Sequence, residues 1–82
     1  MRKVENQSRM LIDLYHRLSD RQLEILRLSA YGKMGKEIAH ILDVSEHTVK
    51  AHKFFIVKKL YAANMTHAVA KAITTGLINI EM

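Results

Sequence analysis

Four lysines, Lys50, Lys53, Lys58 and Lys59, crowd into EHTVKAHKFFIVKKL, residues 46–60, opposed by the single acid Glu46. That leaves a surplus of three positive charges on one short segment, out of a formal net charge of +5 for the 82-residue chain. A cluster of this kind neutralises anions, and nucleic acid is the commonest polyanionic partner. Other chemistries fit less well. The five histidines stand at 16, 40, 47, 52 and 67, with no pair spaced three or four apart, so no helix face offers two imidazoles to a metal. The chain has no cysteine, which excludes disulfides and thiolate zinc sites and fits a reducing cytoplasm. His40 and Asp43 lie three apart, but no nucleophile completes a triad and no glycine-rich phosphate loop is present. Neither an enzyme nor a cofactor is therefore expected. No stretch approaches the roughly 18 apolar residues of a membrane span.

The elements that must position these lysines are helical. There is no proline and there are three glycines among residues that are 49% hydrophobic, so helix breakers are scarce and no alternating strand pattern appears. The length suits one small domain. An all-α fold of four compact helices is expected, with residues 1–17 as an arm or short extra helix, in which Met10, Leu11 and Leu14 recur with Leu18 at helical spacing, and 79–82 as a tail. Ser19-Asp20-Arg21-Gln22 forms a capping box flanked by Leu18 and Leu23. It opens a helix over about 20–31 that buries Leu23 and Leu26 and stops at Gly32. A second helix runs from Gly35 to Leu42 or Asp43, with Ile38, Ala39, Ile41 and Leu42 apolar and Glu37 in its first turn. Ser45 caps a third, ending near Leu60–Tyr61. Thr66 is expected to cap a fourth, holding Val69, Ala70, Ile73 and Leu77, with Gly76 ending it.

The third helix is two-faced. At ~100° per residue, Val49, Ile56 and Leu60 share one side, while His47, Lys50, Ala51, Phe54 and Lys58 point the other way. Of Phe54 and Phe55, Phe55 is the expected core residue and Phe54 the exposed one. An ordinary solvated lysine face is the bland alternative. Against it stands the whole arrangement: a supporting helix, a tight turn, a capped helix and a basic outer side. That is a helix-turn-helix, whose second helix enters a DNA major groove about 12 Å wide.

The residues also carry a resemblance. Leu18-Ser19-x-Arg21-x-x-Glu24-Ile25-Leu26-Arg27-Leu28, then Gly32, then Lys36-Glu37-Ile38-Ala39-x-x-Leu42-x-Val44-Ser45-x-x-Thr48-Val49-Lys50-x-His52, then Ile56-x-x-Lys59-Leu60, Ala68-Val69 and Gly76-Leu77-Ile78 resemble the LuxR/GerE-type helix-turn-helix of bacterial transcription regulators over about 18–78. The resemblance implies a four-helix domain that binds duplex DNA as a homodimer paired through its last helix. By it, Lys50 matches a DNA-contacting lysine, Thr48 and His52 match positions near phosphates, and Ser45 matches the residue opening the recognition helix. Glu24 and Glu37 match structural acids that act through caps or ion pairs. Gln22 stands where the family usually has glutamate. Met34-Gly35 replaces a small polar pair and weakens that cap. Phe54-Phe55 replaces a polar pair, and an apolar ring at 54 can meet thymine methyls. Tyr61–Thr66 replaces a segment that is often basic, so affinity is expected to be modest.

The expected DNA-contacting set is thus Ser45, His47, Thr48, Lys50, Ala51, His52, Lys53, Phe54 and Lys58, with Lys59 as a further phosphate candidate. Ala68, Ala72 and Thr75 form a small-residue stripe on the last helix and are the expected dimer contacts. The competing function is a protein-interaction module using Phe54, Phe55 and the last helix. The chain has no room for a receiver or ligand-binding domain. Either it stands alone as a regulator or its sensor lies upstream of residue 1.

Overall fold

A computed structural model describes residues 17–81. Of the arm expected over 1–17, residues 1–16 lie outside the described residues. Within them the chain forms α1 (Asp20–Ala30), α2 (Gly35–Leu42), α3 (Glu46–Lys59) and α4 (Met65–Thr74), with no strand among the described residues. This is the all-α, four-helix architecture expected.

Each helix begins where a side chain can take a free backbone donor. The Ser19 hydroxyl accepts from the Gln22 amide at 3.1 Å, and Gln22 Oε1 accepts from the Ser19 amide at 3.1 Å. Both halves of the capping box are therefore made. Ser45 Oγ accepts from the Thr48 amide at 3.0 Å and starts α3. At Met34 no side chain caps α2 forward, as its apolar type dictates. Glu37 compensates by accepting from the Met34 amide at 2.9 Å, a structural role for this acid. The start of α4 differs from expectation. Asn64, not Thr66, is its cap, and Asn64 Oδ1 accepts from the His67 amide at 2.9 Å. His67 Nδ1 then accepts from the Ala63 amide at 2.9 Å, one residue before the N-cap amide that a capping-box glutamate or glutamine would take.

The helices end on left-handed residues. Gly32 at φ 85° and Gly76 at φ 77° follow α1 and α4. Asp43 at φ 55° and Tyr61 at φ 54° follow α2 and α3, where a side chain makes that region costly. Returning amide bonds secure them: Lys33 to the Leu28 carbonyl at 3.1 Å, Val44 to Ala39 at 3.0 Å and Ala62 to Val57 at 2.9 Å. These are the outer bonds of Schellman turns, and they let a chain without proline stop its helices sharply.

One core joins the four helices. Leu18, Leu23, Ile25 and Leu26 come from the α1 region, Ile38 and Ala39 from α2, Val49, Ile56 and Leu60 from α3 and its end, Ala68 and Ala72 from α4, and Ile78 from the segment after it. Helix α3 packs on all three others. Its buried line is the one read from the sequence. Two apolar side chains depart from expectation. Ile41 is half exposed on the outer side of α2, and Phe55 is 51% exposed, because it lies ~120° around α3 from Val49, too far to turn inward.

The dimer stripe needs a larger correction. Ala68 and Ala72 are both 0% exposed. They let α4 approach α1 and α3 closely within the chain, so they are not available to a partner. Thr75 is half-buried, its hydroxyl donating to the Lys71 carbonyl at 2.8 Å. The outward side of α4 instead presents Thr66, His67, Ala70, Ile73 and Thr74. Ala72→Leu should lower unfolding free energy by about 1–3 kcal/mol in urea titrations, through overpacking. The exposed Ala70→Leu should stay within about 0.5 kcal/mol of the parent.

Candidate nucleic-acid interface

Helix α3 can present a surface because its two ends and its back are fixed. At the start, Ser45 caps the helix and its hydroxyl also lies 2.9 Å from Thr48 Oγ1. Both polar groups are thus engaged within the first turn, while Thr48 remains half-buried and Ser45 exposed. Along the back, Val49, Ile56 and Leu60 are at most 1% exposed. At the far end, the Lys71 ammonium of α4 donates to the Leu60 carbonyl at 2.9 Å and to the Tyr61 carbonyl at 3.1 Å. A cation on the last carbonyls of a helix meets both unfilled acceptors and the negative end of the helix dipole.

Of the expected contacts, His47, Lys50, Ala51, Phe54 and Lys58 are all exposed and share the outer side of α3. Lys50, Phe54 and Lys58 are spaced four apart, one above another along the helix. The Lys58 ammonium lies 5.0 Å from the centre of the Phe54 ring, a cation–π contact. The Phe55 ring meets Phe54 edge-on, with centroids 5.5 Å apart and planes at 81°. The first turn of α3 borders a cleft against the start of α2, lined by Gly35, Glu46, His47, Val49, Lys50 and Lys53. Lys53 is half-buried and runs its ammonium past Gly35. Its stem covers apolar surface while its charge stays near water. His52 is half-buried on the flank, with no side-chain hydrogen bond among the described residues.

Lys59 belongs elsewhere. Its ammonium donates to Gln22 Oε1 at 2.9 Å, and Gln22 is the one buried polar side chain among the described residues. The same amide oxygen closes the α1 capping box. One glutamine therefore caps α1 and ties α3 to it. Lys71 and the Gln22–Lys59 tie escaped the sequence reading. For Gln22 a signal existed in its unusual neutrality at that position. For Lys71 the spacing to Leu60 and Tyr61 carries none, since the bond crosses between helices.

Arg17 stacks 5.0 Å from the Tyr61 ring centre and donates to its hydroxyl. The left-handed residue after α3 is thus held from the N-terminal side of the domain as well as by Lys71.

The profile of the family described as "Bacterial regulatory proteins, luxR family" matches residues 16–72. The chain belongs to the luxR family of bacterial regulatory proteins. The matched span covers all of α1, α2 and α3 and most of α4. The luxR-family chain is 51% identical over 65 residues to the HTH-type quorum sensing-dependent transcriptional regulator RpaR of Rhodopseudomonas palustris, covering 79% of this chain and 27% of that protein. It is 48% identical over 60 residues to the regulatory protein SdiA of Escherichia coli, covering 73% and 25%. It is 41% identical over 66 residues to the uncharacterized transcriptional regulatory protein YxjL of Bacillus subtilis, covering 80% and 30%. The chain thus spans roughly a quarter to three tenths of the length of these relatives. The family is one of transcription regulators and not of enzymes, and no described helix is long and apolar enough to cross a membrane.

Lys71→Met keeps the stem and removes the two bonds to the Leu60 and Tyr61 carbonyls. Amide hydrogen exchange at residues 60–62 should accelerate, and global stability should fall by about 1–2 kcal/mol. Unchanged protection at those amides would contradict the capping role.

Proposed function

We propose that this chain is the DNA-binding part of a transcription regulator, with α3 as the helix that enters the major groove of a specific duplex site. One observation carries the reading: α3 is buried on one side and basic on the other, with His47, Lys50, Ala51, Phe54 and Lys58 on its free surface. Lys50 and Lys58 supply positive charge at either end of that surface. Ala51 keeps the middle low, so the helix axis can come close to the base edges. Ser45 and Thr48 hold the first turn, whose free amides face an approaching phosphate. His52 and Lys53 flank it. Such a regulator works in the bacterial cytoplasm, where the chromosome is.

A homodimer on DNA is part of the proposal. The relevant surface is the outer side of α4, with Ala70, Ile73 and Thr74 in place of the buried alanines. Ile73 is 41% exposed, an apolar side chain suited to self-pairing across a twofold. Two recognition helices so related would engage half-sites about 34 Å apart. A protein-interaction module is the second reading, favoured by the exposure of both Phe54 and Phe55.

Affinity for a duplex pulled from a random pool should fall steeply with salt. Lys50→Ala should weaken it and reduce the slope of log affinity against log salt by about one unit. A chain that ignores duplex DNA at low salt would overturn the reading. Chemical-shift titration separates the two alternatives: DNA perturbs 46–58, whereas a protein partner perturbs 54–55 or 66–78. Ile73→Glu should abolish paired binding on a two-half-site duplex, seen as loss of the slower band in gel shifts, while a single half-site is still bound.

A further inference from the structure

Phe54 exposes 57% of its surface in the middle of the basic side of α3. Nothing in the fold requires an aromatic ring there, because the core line runs through Val49, Ile56 and Leu60 on the opposite side. The outward side of the turn that contains it carries no side-chain donor, since the donors of that turn, His52 and Lys53, lie half-buried on its flanks. Ala51, Phe54 and Phe55 occupy the central outer surface and its flank, and none of them can make a hydrogen bond. Whatever this part of the helix reads, it does not read the donor and acceptor pattern of a base edge.

The major groove displays one apolar group, the methyl on C5 of thymine. We infer that Phe54 is a specificity-determining residue that recognises a pyrimidine 5-methyl group, deepening the DNA-binding reading above, on which it rests. The ring is held for that task. Phe55 meets it edge-on, and Lys58 lies over it at 5.0 Å. Lys50 stands one turn before Phe54 and Lys58 one turn after, so two cationic side chains flank an apolar centre. That order matches a groove with anionic walls and a floor on which methyl groups project. The Lys58 amine serves here as a positioning group for the ring as well as a source of charge.

A consequence follows for chemistry on the DNA. A phenyl ring senses the methyl and is blind to whether the neighbouring exocyclic group is the O4 of thymine or the N4 amine of cytosine. 5-Methylcytosine carries its methyl at the same place on the ring. At the position facing Phe54, methylation of a cytosine therefore tightens binding, and the chain becomes sensitive to cytosine methylation of its site.

The test uses the 82-residue chain and the best duplex selected from a random pool. Each thymine is replaced singly by deoxyuridine, which removes only the methyl. The wild-type chain should lose about four-fold in affinity at one position per half-site, the value of one buried methyl. Phe54→Ala should bind more weakly overall and show no thymine–uracil difference there, while Phe54→Leu should keep part of it. With cytosine at that position, 5-methylcytosine should be preferred over cytosine by a similar factor, again only when Phe54 is present. Matching circular dichroism and melting curves for the variants establish that they fold, as expected for an exposed side chain. If the wild-type chain binds its selected duplex with no uracil sensitivity, or if Phe54→Ala retains that sensitivity, the inference fails and the DNA-binding reading stands. If no duplex is bound at all, both fall, and a protein surface becomes the function of the two rings.

Discussion

The rotation of α3 about its own axis is the constraint on which the rest depends. Val49, Ile56 and Leu60 are sealed in the core, and each contributes about 1.5–3 kcal/mol by leaving water. Turning the helix by the ~100° of a single residue would drive Lys50 inward and expose this line. Burying an unpaired ammonium costs far more than the fold can give. The hydrophobic contacts on one side therefore determine, with little tolerance, which side chains stand free on the other. The basic surface exists because the core fixes the helix, and not through any contact of its own.

Orientation also depends on the ends of the helix. Ser45 fixes the first turn, and the tight link before it, with Asp43 left-handed, joins α2 to α3 without slack. At the other end Lys71 brings α4 onto the last carbonyls of α3, while Gln22 brings α1 onto Lys59. Helices α1 and α4 thus each have both an apolar contact with α3 and a polar one near its end. A domain this small has little surplus stability, so pinning the termini matters more than it would in a larger protein. Any movement imposed on α4 would be felt at Leu60 and Tyr61 through the same ammonium.

Where side-chain type and position agreed, the fold was legible in the sequence. Ser19 and Gln22 announced their helix, and Ser45 did the same for α3. The line Val49, Ile56, Leu60 gave its rotation, and with it the outward placement of His47, Lys50, Ala51, Phe54 and Lys58. Legibility failed where the two disagreed. Phe55 was read by its type, but its angular position decides, and it stays out. Ala68 and Ala72 were read as a free stripe because alanine is nearly silent in a hydrophobic pattern. Only the approach of α4 to its neighbours reveals that small residues are needed inside. Thr66 was read as the cap of α4, but Asn64, a stronger capping type two residues earlier, takes that place. Lys59 and Lys71 looked like any other lysine, since partners on another helix leave no trace in local spacing.

The tie between Lys59 and Gln22 has a bearing on kinetics. A carboxylate at position 22 would cancel the ammonium it holds; an amide restrains the ammonium and leaves its charge whole. Lys59 is therefore restrained yet uncompensated by that partner, a fixed source of positive potential on the flank of α3. A charge of this sort needs no touch to act. Its field reaches about one Debye length, ~8 Å at physiological ionic strength, and would act on how fast a polyanion arrives more than on how long it stays.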